Sequence, residues 1–455
     1  MMVNDNKAVA LSFSQSVYPW VIVFCGMLFY CYNYFLRVSP SVMQPELTQA
    51  FHITATQFGT LAAFYYYAYT PMQIPAGMIY DKFGVRFVLC LACLTAVIGL
   101  SVFISANNYS TAEIGRFMIG LGCAFAYIGT LKLASIWLPP NRFATVAGLA
   151  SAIGMTSGAL SQKYLAHFVE TIGYQRALHS VLIAGIVLSV IIILLVRNHP
   201  KTKTHVANET RSPINMKQLG RALQIIFTNP QMWYIGLIGC LLYLPASVFL
   251  DLWGITYLKS VYHITSERAV GLASFMFYGW IIASPILGAL SDKIKRRRML
   301  LTVTGSIATL LFCLVFYAPG ITVTSLYFIF FAIGFCCGAH SLCFALGKEN
   351  NSTKISGTAV AITNMFIMAG GLIFQPVIGK LIDFHASKVL GQNGLPIYVA
   401  GDYTFALSVI PIGFAIGTIL TLFVKETYCE SQVKEEHERI FNPIRLEPKT
   451  ESAMN

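Results

Sequence analysis

The sequence predicts an all-α membrane protein of twelve transmembrane helices, arranged as two six-helix bundles related by a pseudo-twofold parallel repeat. Three observations predict it: a composition that only lipid can solvate, apolar runs of spanning length, and a duplication of the first half in the second. Of 455 residues, 56% are hydrophobic and 11% charged, whereas a soluble domain carries about a quarter charged residues. The apolar runs approach about 20 residues, long enough to cross a hydrocarbon core of about 30 Å. In lipid only helices or closed barrels satisfy their backbones, and the alternation of a barrel over roughly 10 residues is absent.

The runs and their polar breaks place helices at roughly 18–47, 57–79, 87–106, 113–137, 144–166 and 177–196. After a polar stretch six more follow, at roughly 231–258, 268–290, 299–317, 325–346, 355–383 and 403–424. An even number of crossings leaves both termini on one side, and the positive-inside bias names that side. The loops after helices 2, 4, 6, 8 and 10 hold sixteen Lys and Arg residues, from Lys82 and Arg86 to Lys348 and Lys354. The opposite loops hold five: Lys163, Arg176, Lys259, Arg268 and Lys388. Both termini are therefore expected in the cytoplasm. The chain divides into an N-terminus (1–17), an N-terminal bundle (18–196), a cytoplasmic linker (197–229), a C-terminal bundle (230–424) and a charged tail (425–455) expected to be disordered.

The remaining bulk features fit the same picture. Met1 to Ser16 contains no small-residue cleavage site, so the first helix is read as its own insertion signal. Ten of the eleven cysteines lie in apolar runs, which reads as packing rather than a disulfide framework or a metal site, Cys90 and Cys93 included. The net charge of +12 sits in the loops and follows topology, not nucleic-acid binding. Asn108-Tyr-Ser110 matches a glycosylation acceptor in an outer loop.

The repeat is explicit. Phe51-His-Ile-Thr54 recurs as Tyr262-His-Ile-Thr265, and Gly77-x-x-x-Asp81-Lys82 as Gly288-x-x-x-Asp292-Lys293, both displaced by 211. Trp20 and Tyr30 recur as Trp233 and Tyr243, and Gly158 and Gln162 as Gly371 and Gln375, displaced by 213. Six helices per copy make the copies parallel, related by an axis along the membrane normal, with a binding site near the midplane between them.

Gly77-Met-Ile-Tyr-Asp81-Lys82-Phe-Gly84-Val-Arg86 resembles the signature loop between helices 2 and 3 of major facilitator transporters. The second copy has Lys295 where the glycine would fall. Arg116-x-x-x-Gly120-x-Gly122 is similar to the helix 4 motif, and Gly154-x-x-x-Gly158 loosely to the helix 5 motif without its proline. Tyr30-x-x-Asn33-Tyr34-x-x-Arg37 in helix 1 and Asp251-Leu-Trp253 in helix 7 resemble the anion, organophosphate and small-carboxylate or peptide branches. The second arginine and the helix 5 histidine of the phosphate antiporters are missing, Ile153 and Gly154 standing in the latter region. The resemblance implies a major facilitator fold in a bacterial inner membrane, working as a monomer without cofactor. It also implies that the signature loops, with Gly77, Asp81, Lys82, Gly84, Arg86, Gly288, Asp292 and Lys293, latch the cytoplasmic side.

Charges inside apolar helices are the sharpest functional signal, because each costs about 2.5–3.5 kcal/mol on insertion scales and so faces a cavity or a partner. Arg37 lies well inside helix 1, and its planar fork suits a carboxylate or phosphate; the alternatives are a structural pair or a stem reaching the interface. Asp251 is the acid deepest in an apolar run and lies within one turn of the repeat mate of Arg37. It is the candidate proton-coupling group, with a fixed structural pair as the alternative. His340 is a second candidate for proton coupling, against a packing role. Asn33, Tyr34, Lys132, Asn364 and Gln375 complete the candidate substrate contacts, Lys132 equally able to reach the interface along its stem. Arg116 follows Glu113 by three residues, so a local pair is expected there.

The expected function is a secondary active transporter of a small anionic or zwitterionic carboxylate, amino acid or peptide, driven by protons. An anion or organophosphate antiporter exchanging a counter-anion is the alternative, and a non-transporting sensor of the same fold is the alternative from another class. No nucleotide-binding loop, zinc-type His-Glu-x-x-His or activated nucleophile supports an enzyme.

Overall fold

The structure is a computed structural model that describes residues 13–139, 142–198, 216–318, 320–387, 390–391 and 394–430. Expectations for residues 1–12, for Lys201, Lys203, Arg211 and Lys388, and for 431–455 lie outside the described residues. Among the described residues the only strand-like pairing is a single bridge between Leu390 and Pro396.

The long helices of the described residues are grouped into numbered bodies in chain order. The first six are α1 (Phe13–Val42), α2 (Ala55–Met72 with Ala76–Phe83), α3 (Val85–Ile104), α4 (Tyr109–Cys123 with Ala126–Trp137), α5 (Phe143–Ile172) and α6 (Tyr174–Leu195). The second six are α7 (Pro230–Tyr262), α8 (Ser266–Ile294), α9 (Arg297–Tyr317), α10 (Val323–Glu349), α11 (Ser356–His385) and α12 (Ala400–Thr421). Ten of these, all but α2 and α5, are long and apolar enough by themselves to cross a membrane. The two exceptions have separate physical reasons. α2, which packs on α11 across the seam between the halves, is broken between Met72 and Ala76 and carries Tyr65, Tyr66, Tyr67 and Tyr69. α5, which packs on α8, carries buried Ser157, Ser161 and Gln162 where a lipid-facing helix would be apolar.

The repeat is visible in backbone geometry. His52 and His263 both take left-handed φ, +51° and +50°, and each ends one helix before Thr54 or Thr265 opens the next. At the signature loops Gly84 has φ +82° and Lys295 has φ +53°. Gly158 faces the ring of Phe277 and Gly371 faces the ring of Tyr66, so tightly that a Cβ on either would collide. These two contacts cross the seam in opposite directions and are mates under the repeat.

Two helices are interrupted at the candidate residues Asp251 and His340. Pro245 lacks an N–H and cannot continue the α-helical ladder, and the stretch Pro245–Trp253 of α7 opens into π-helix. A 3-10 turn, Gly338–Ser341, breaks α10 at His340.

Two stretches outside the bundles carry structure of their own. Within the linker, Met216–Thr228 forms a helix whose Ala222 and Ile226 pack on Met232, Ile355, Ala359 and Ile362 of the C-terminal half. The beginning of the tail is ordered as well. Glu426 accepts hydrogen bonds from the Arg297 and Arg298 backbone N–H groups (2.9 and 3.1 Å), supplying the N-terminal cap that α9 lacks, and Thr427 is buried and donates to Glu349.

Candidate functional site

Arg37 of α1 and Asp251 on the π-helical stretch of α7 meet across the seam. Both are buried, 5% and 3% exposed. The Arg37 Nε donates to Asp251 Oδ2 at 2.7 Å, and Nη2 lies 2.6 Å from the same oxygen. The Tyr66 hydroxyl also donates to Oδ2, while Arg37 Nη2 donates to the Tyr243 hydroxyl at 3.1 Å. The guanidinium carbon stands 5.3–5.7 Å from the ring centroids of Tyr66, Tyr34 and Tyr243. Charge, hydrogen bonds and π-faces thus offset the desolvation of two ions at one point. Tyr66 and Phe277 are repeat mates, so the hydroxyl that reaches Asp251 exists in one half only.

The other sequence candidates divide. Tyr34 stacks over Arg37, and Asn33 accepts from the Tyr65 hydroxyl at 2.5 Å. Asn364 donates to Gln73 Oε1 across the seam at 2.8 Å. Gln375 is turned onto backbone, donating to the Ser247 carbonyl at 2.7 Å. Its mate Gln162 donates to the Leu250 carbonyl at 2.5 Å, so both halves grip the π-helical stretch that carries Asp251. His340 packs among Tyr243, Trp280 and Phe344, its Nδ1 3.2 Å from the Cys337 carbonyl.

Arg116 corrects the expected local pair with Glu113. It is 2% exposed and donates instead to the carbonyls of Leu36 (2.7 Å) and Ala62 (3.4 Å), under the Tyr65 ring. Its helix face points into the bundle, where two backbone acceptors outcompete a partner near the rim.

A family model described as Major Facilitator Superfamily matches residues 23–375. The chain is a major facilitator. Like its relatives it is a transporter, not an enzyme. It is 23% identical over 419 residues to the uncharacterized transporter YybO of Bacillus subtilis, covering 85% of this chain and 91% of that one. It is 21% identical over 417 residues to the probable sulfoacetate transporter SauU of Cupriavidus necator, covering 87% and 91%. A crystal structure of a D-xylose-proton symporter superposes with a TM-score of 0.70 at 14% identity, covering 91% of this chain and all of that one.

The signature loops of this major facilitator pair within their own halves. Lys132 forms an ion pair with Asp81, which takes it away from the centre of the site. Arg86 donates to the Ile193 carbonyl at 3.0 Å, Lys82 lies over the Phe83 ring, and Gly77 and Gly288 have open space where a Cβ would stand. Asp292 accepts from Arg297 at 3.0 Å, and Arg297 also grips Glu349 at 2.7 Å. Among the described residues, no hydrogen bond or ion pair links Asp81, Lys82, Asp292 or Lys293 across the seam. The pieces of α2, α4 and α10 nearest the signature loops pack within their own halves.

At the other end the halves are joined. The Asp383 carboxylate of α11 accepts from the backbone N–H groups of Ala55 (3.2 Å) and Thr56 (2.8 Å) and from the Thr56 hydroxyl (2.5 Å). The Tyr398 hydroxyl donates to Asp383 at 2.5 Å and accepts from the Ala55 N–H at 2.9 Å. Asp383 therefore caps α2 from the opposite half. Sequence reasoning passed over it because an acid in the last turn of a helix is unremarkable; its partners lie 327 and 328 residues away. Tyr66 and Gln162 were likewise missed as site residues, although the repeat marks Gln162 as the mate of Gln375.

Proposed function

We propose that this major facilitator is a proton-coupled secondary transporter of a small carboxylate metabolite, with Arg37 as the carboxylate clamp and Asp251 as the proton-exchanging group. The observation that carries this reading is the buried pair itself. Three donors converge on one carboxylate oxygen of Asp251, which is the arrangement a substrate carboxylate needs. An incoming anion that takes that place leaves Asp251 buried without its cation, a state stable only when the carboxyl takes up a proton. Substrate and proton then travel together. One relative is named for sulfoacetate, itself a carboxylate.

The same reading takes twelve membrane crossings, α2 and α5 included, in two six-helix halves (18–196 and 230–424). Both termini lie in the cytoplasm of a bacterial cell, and the protein works as a monomer. The Asp383 cap then closes the outer side, and the separated signature loops leave the inner side open. Alternating access requires breaking the outer bonds as the loops approach each other.

Reconstitution tests it. In proteoliposomes, an imposed inward proton gradient drives accumulation of the carboxylate by the unaltered protein. Asp251→Asn retains exchange of labelled for unlabelled substrate but no longer accumulates it. Accumulation by Asp251→Asn at the unaltered level removes Asp251 from the coupling.

A further inference from the structure

Beside the Arg37–Asp251 pair the duplication has left two matched ring pairs. In the N-terminal half Tyr30 and Tyr127 have centroids 5.1 Å apart with planes at 43°. Displaced by 213 residues, Tyr243 and His340 have centroids 5.2 Å apart at 41°. The geometry is preserved, and the chemistry is not: an imidazole stands where the first half has a phenol. Trp280, the mate of Tyr69, closes the second pair into a triangle, its centroid 4.9 Å from His340 and 5.5 Å from Tyr243.

The polar atoms of this triangle are unequal. The Trp280 indole Nε1 is buried, the residue 1% exposed, and has no hydrogen-bond partner. An orphaned buried donor costs about 1–3 kcal/mol unless something accepts from it. His340 is fixed from the other side. A carbonyl only accepts, so its Nδ1 carries the hydrogen toward Cys337, and Nε2 of the neutral ring holds a lone pair. The Tyr243 hydroxyl joins the triangle to the clamp through Arg37.

We propose that Trp280 and His340 form a second subsite, which binds a hydroxyl or amide group of the substrate. An unpartnered indole N–H and an imidazole lone pair, on rings whose centroids are 4.9 Å apart, match a group that both accepts and donates. A bare alkyl chain leaves both unsatisfied, and a second carboxylate meets the His340 lone pair with its own. The substrate class narrows to carboxylates bearing a hydroxyl or an amide. This inference rests on the reading of Arg37 as a carboxylate clamp.

The test is ligand-induced thermal stabilisation of the purified full-length protein, titrated with paired probes. Propanoate is compared with lactate, butanoate with 3-hydroxybutanoate, and acetylglycine supplies the amide. The expected result is a Kd about fivefold to tenfold lower for the best hydroxyl or amide probe than for its plain partner, the worth of one hydrogen bond. Trp280→Phe and His340→Phe, which keep a ring in place, each erase that difference. In the protein labelled with ¹⁵N-tryptophan, the Trp280 indole resonance moves with the hydroxyl probe and not with the plain one. Equal affinities within every pair, or a difference that survives in both variants, overturns the subsite while leaving the clamp standing. Absence of any carboxylate response, or a response untouched by Arg37→Ala, overturns the clamp and the subsite together. Should one variant fail to fold, the other and the indole resonance still decide.

Discussion

Arg37 shows how much one residue can carry when lipid surrounds the protein. Its guanidinium is desolvated, and what holds it is a single carboxylate oxygen, one phenol and three ring faces. Removing either ion leaves the other buried alone, so Arg37→Met and Asp251→Leu are each expected to cost about 3–5 kcal/mol. The double variant, losing both charges, unfolds later on heating or denaturant titration than either single one. Additive losses in that cycle exclude coupling of the pair. The signature loops give a second residue-level case. Gly84, at φ +82° and ψ 149°, occupies a region open essentially to glycine alone, and Gly84→Ala should lose about 1–3 kcal/mol. Lys295 holds a left-handed φ without being glycine, and Lys295→Gly should gain about 1 kcal/mol in the same unfolding measurement. The sequence marked Lys295 as a departure; the positive φ was kept, but ψ moved from 149° at Gly84 to 35° at Lys295, into the left-handed region that a lysine can occupy.

At the scale of elements, spans were legible and their interruptions were not. Hydrophobic length locates α7, and Pro245 signals a break, yet no residue pattern announces nine residues of π-helix; that geometry depends on Gln162 and Gln375, which reach the Leu250 and Ser247 carbonyls from elsewhere in the fold. The Glu113–Arg116 spacing was legible as a local pair, and it failed because spacing says nothing of the carbonyls of Leu36 and Ala62. Short range also hid the Asp383 cap. Ala55 and Thr56 open α2, and their N–H groups depend on a carboxylate from α11. Asp383→Ala is expected to remove about 1–2 kcal/mol of cap. Hydrogen exchange at Ala55 and Thr56 should then accelerate, with exchange in the Asn33–Gln44 stretch rising alongside it. Acceleration confined to the cap itself would mean that the joining of the halves at that end does not depend on it.

For the whole molecule, the two-half architecture and the central position of Arg37 and Asp251 were readable because duplication and buried charge both leave marks along the chain. Ownership of the charges was less readable. The Asp81 and Asp292 loops bind cations of their own halves, which the proposed latch role would have to rearrange. Asp81→Asn, which frees Lys132, is therefore expected to lower the transport rate several-fold with little change in substrate affinity, as initial uptake and equilibrium binding would show; weakened binding at an equal rate contradicts it. The paired contacts of Gly158 with Phe277 and Gly371 with Tyr66 have a mechanical consequence. Each is an aromatic knuckle seated on bare backbone, one facing each way, so if the halves rock as proposed the two contacts would serve as bearings of a single axle. Points on opposite sides of that axle must travel in opposite directions, and Tyr66, itself one of the bearings, holds Asp251 by its hydroxyl. A bulky residue in either socket would press on Tyr34 or Tyr66 as well as on the seam, so initial uptake is expected to fall.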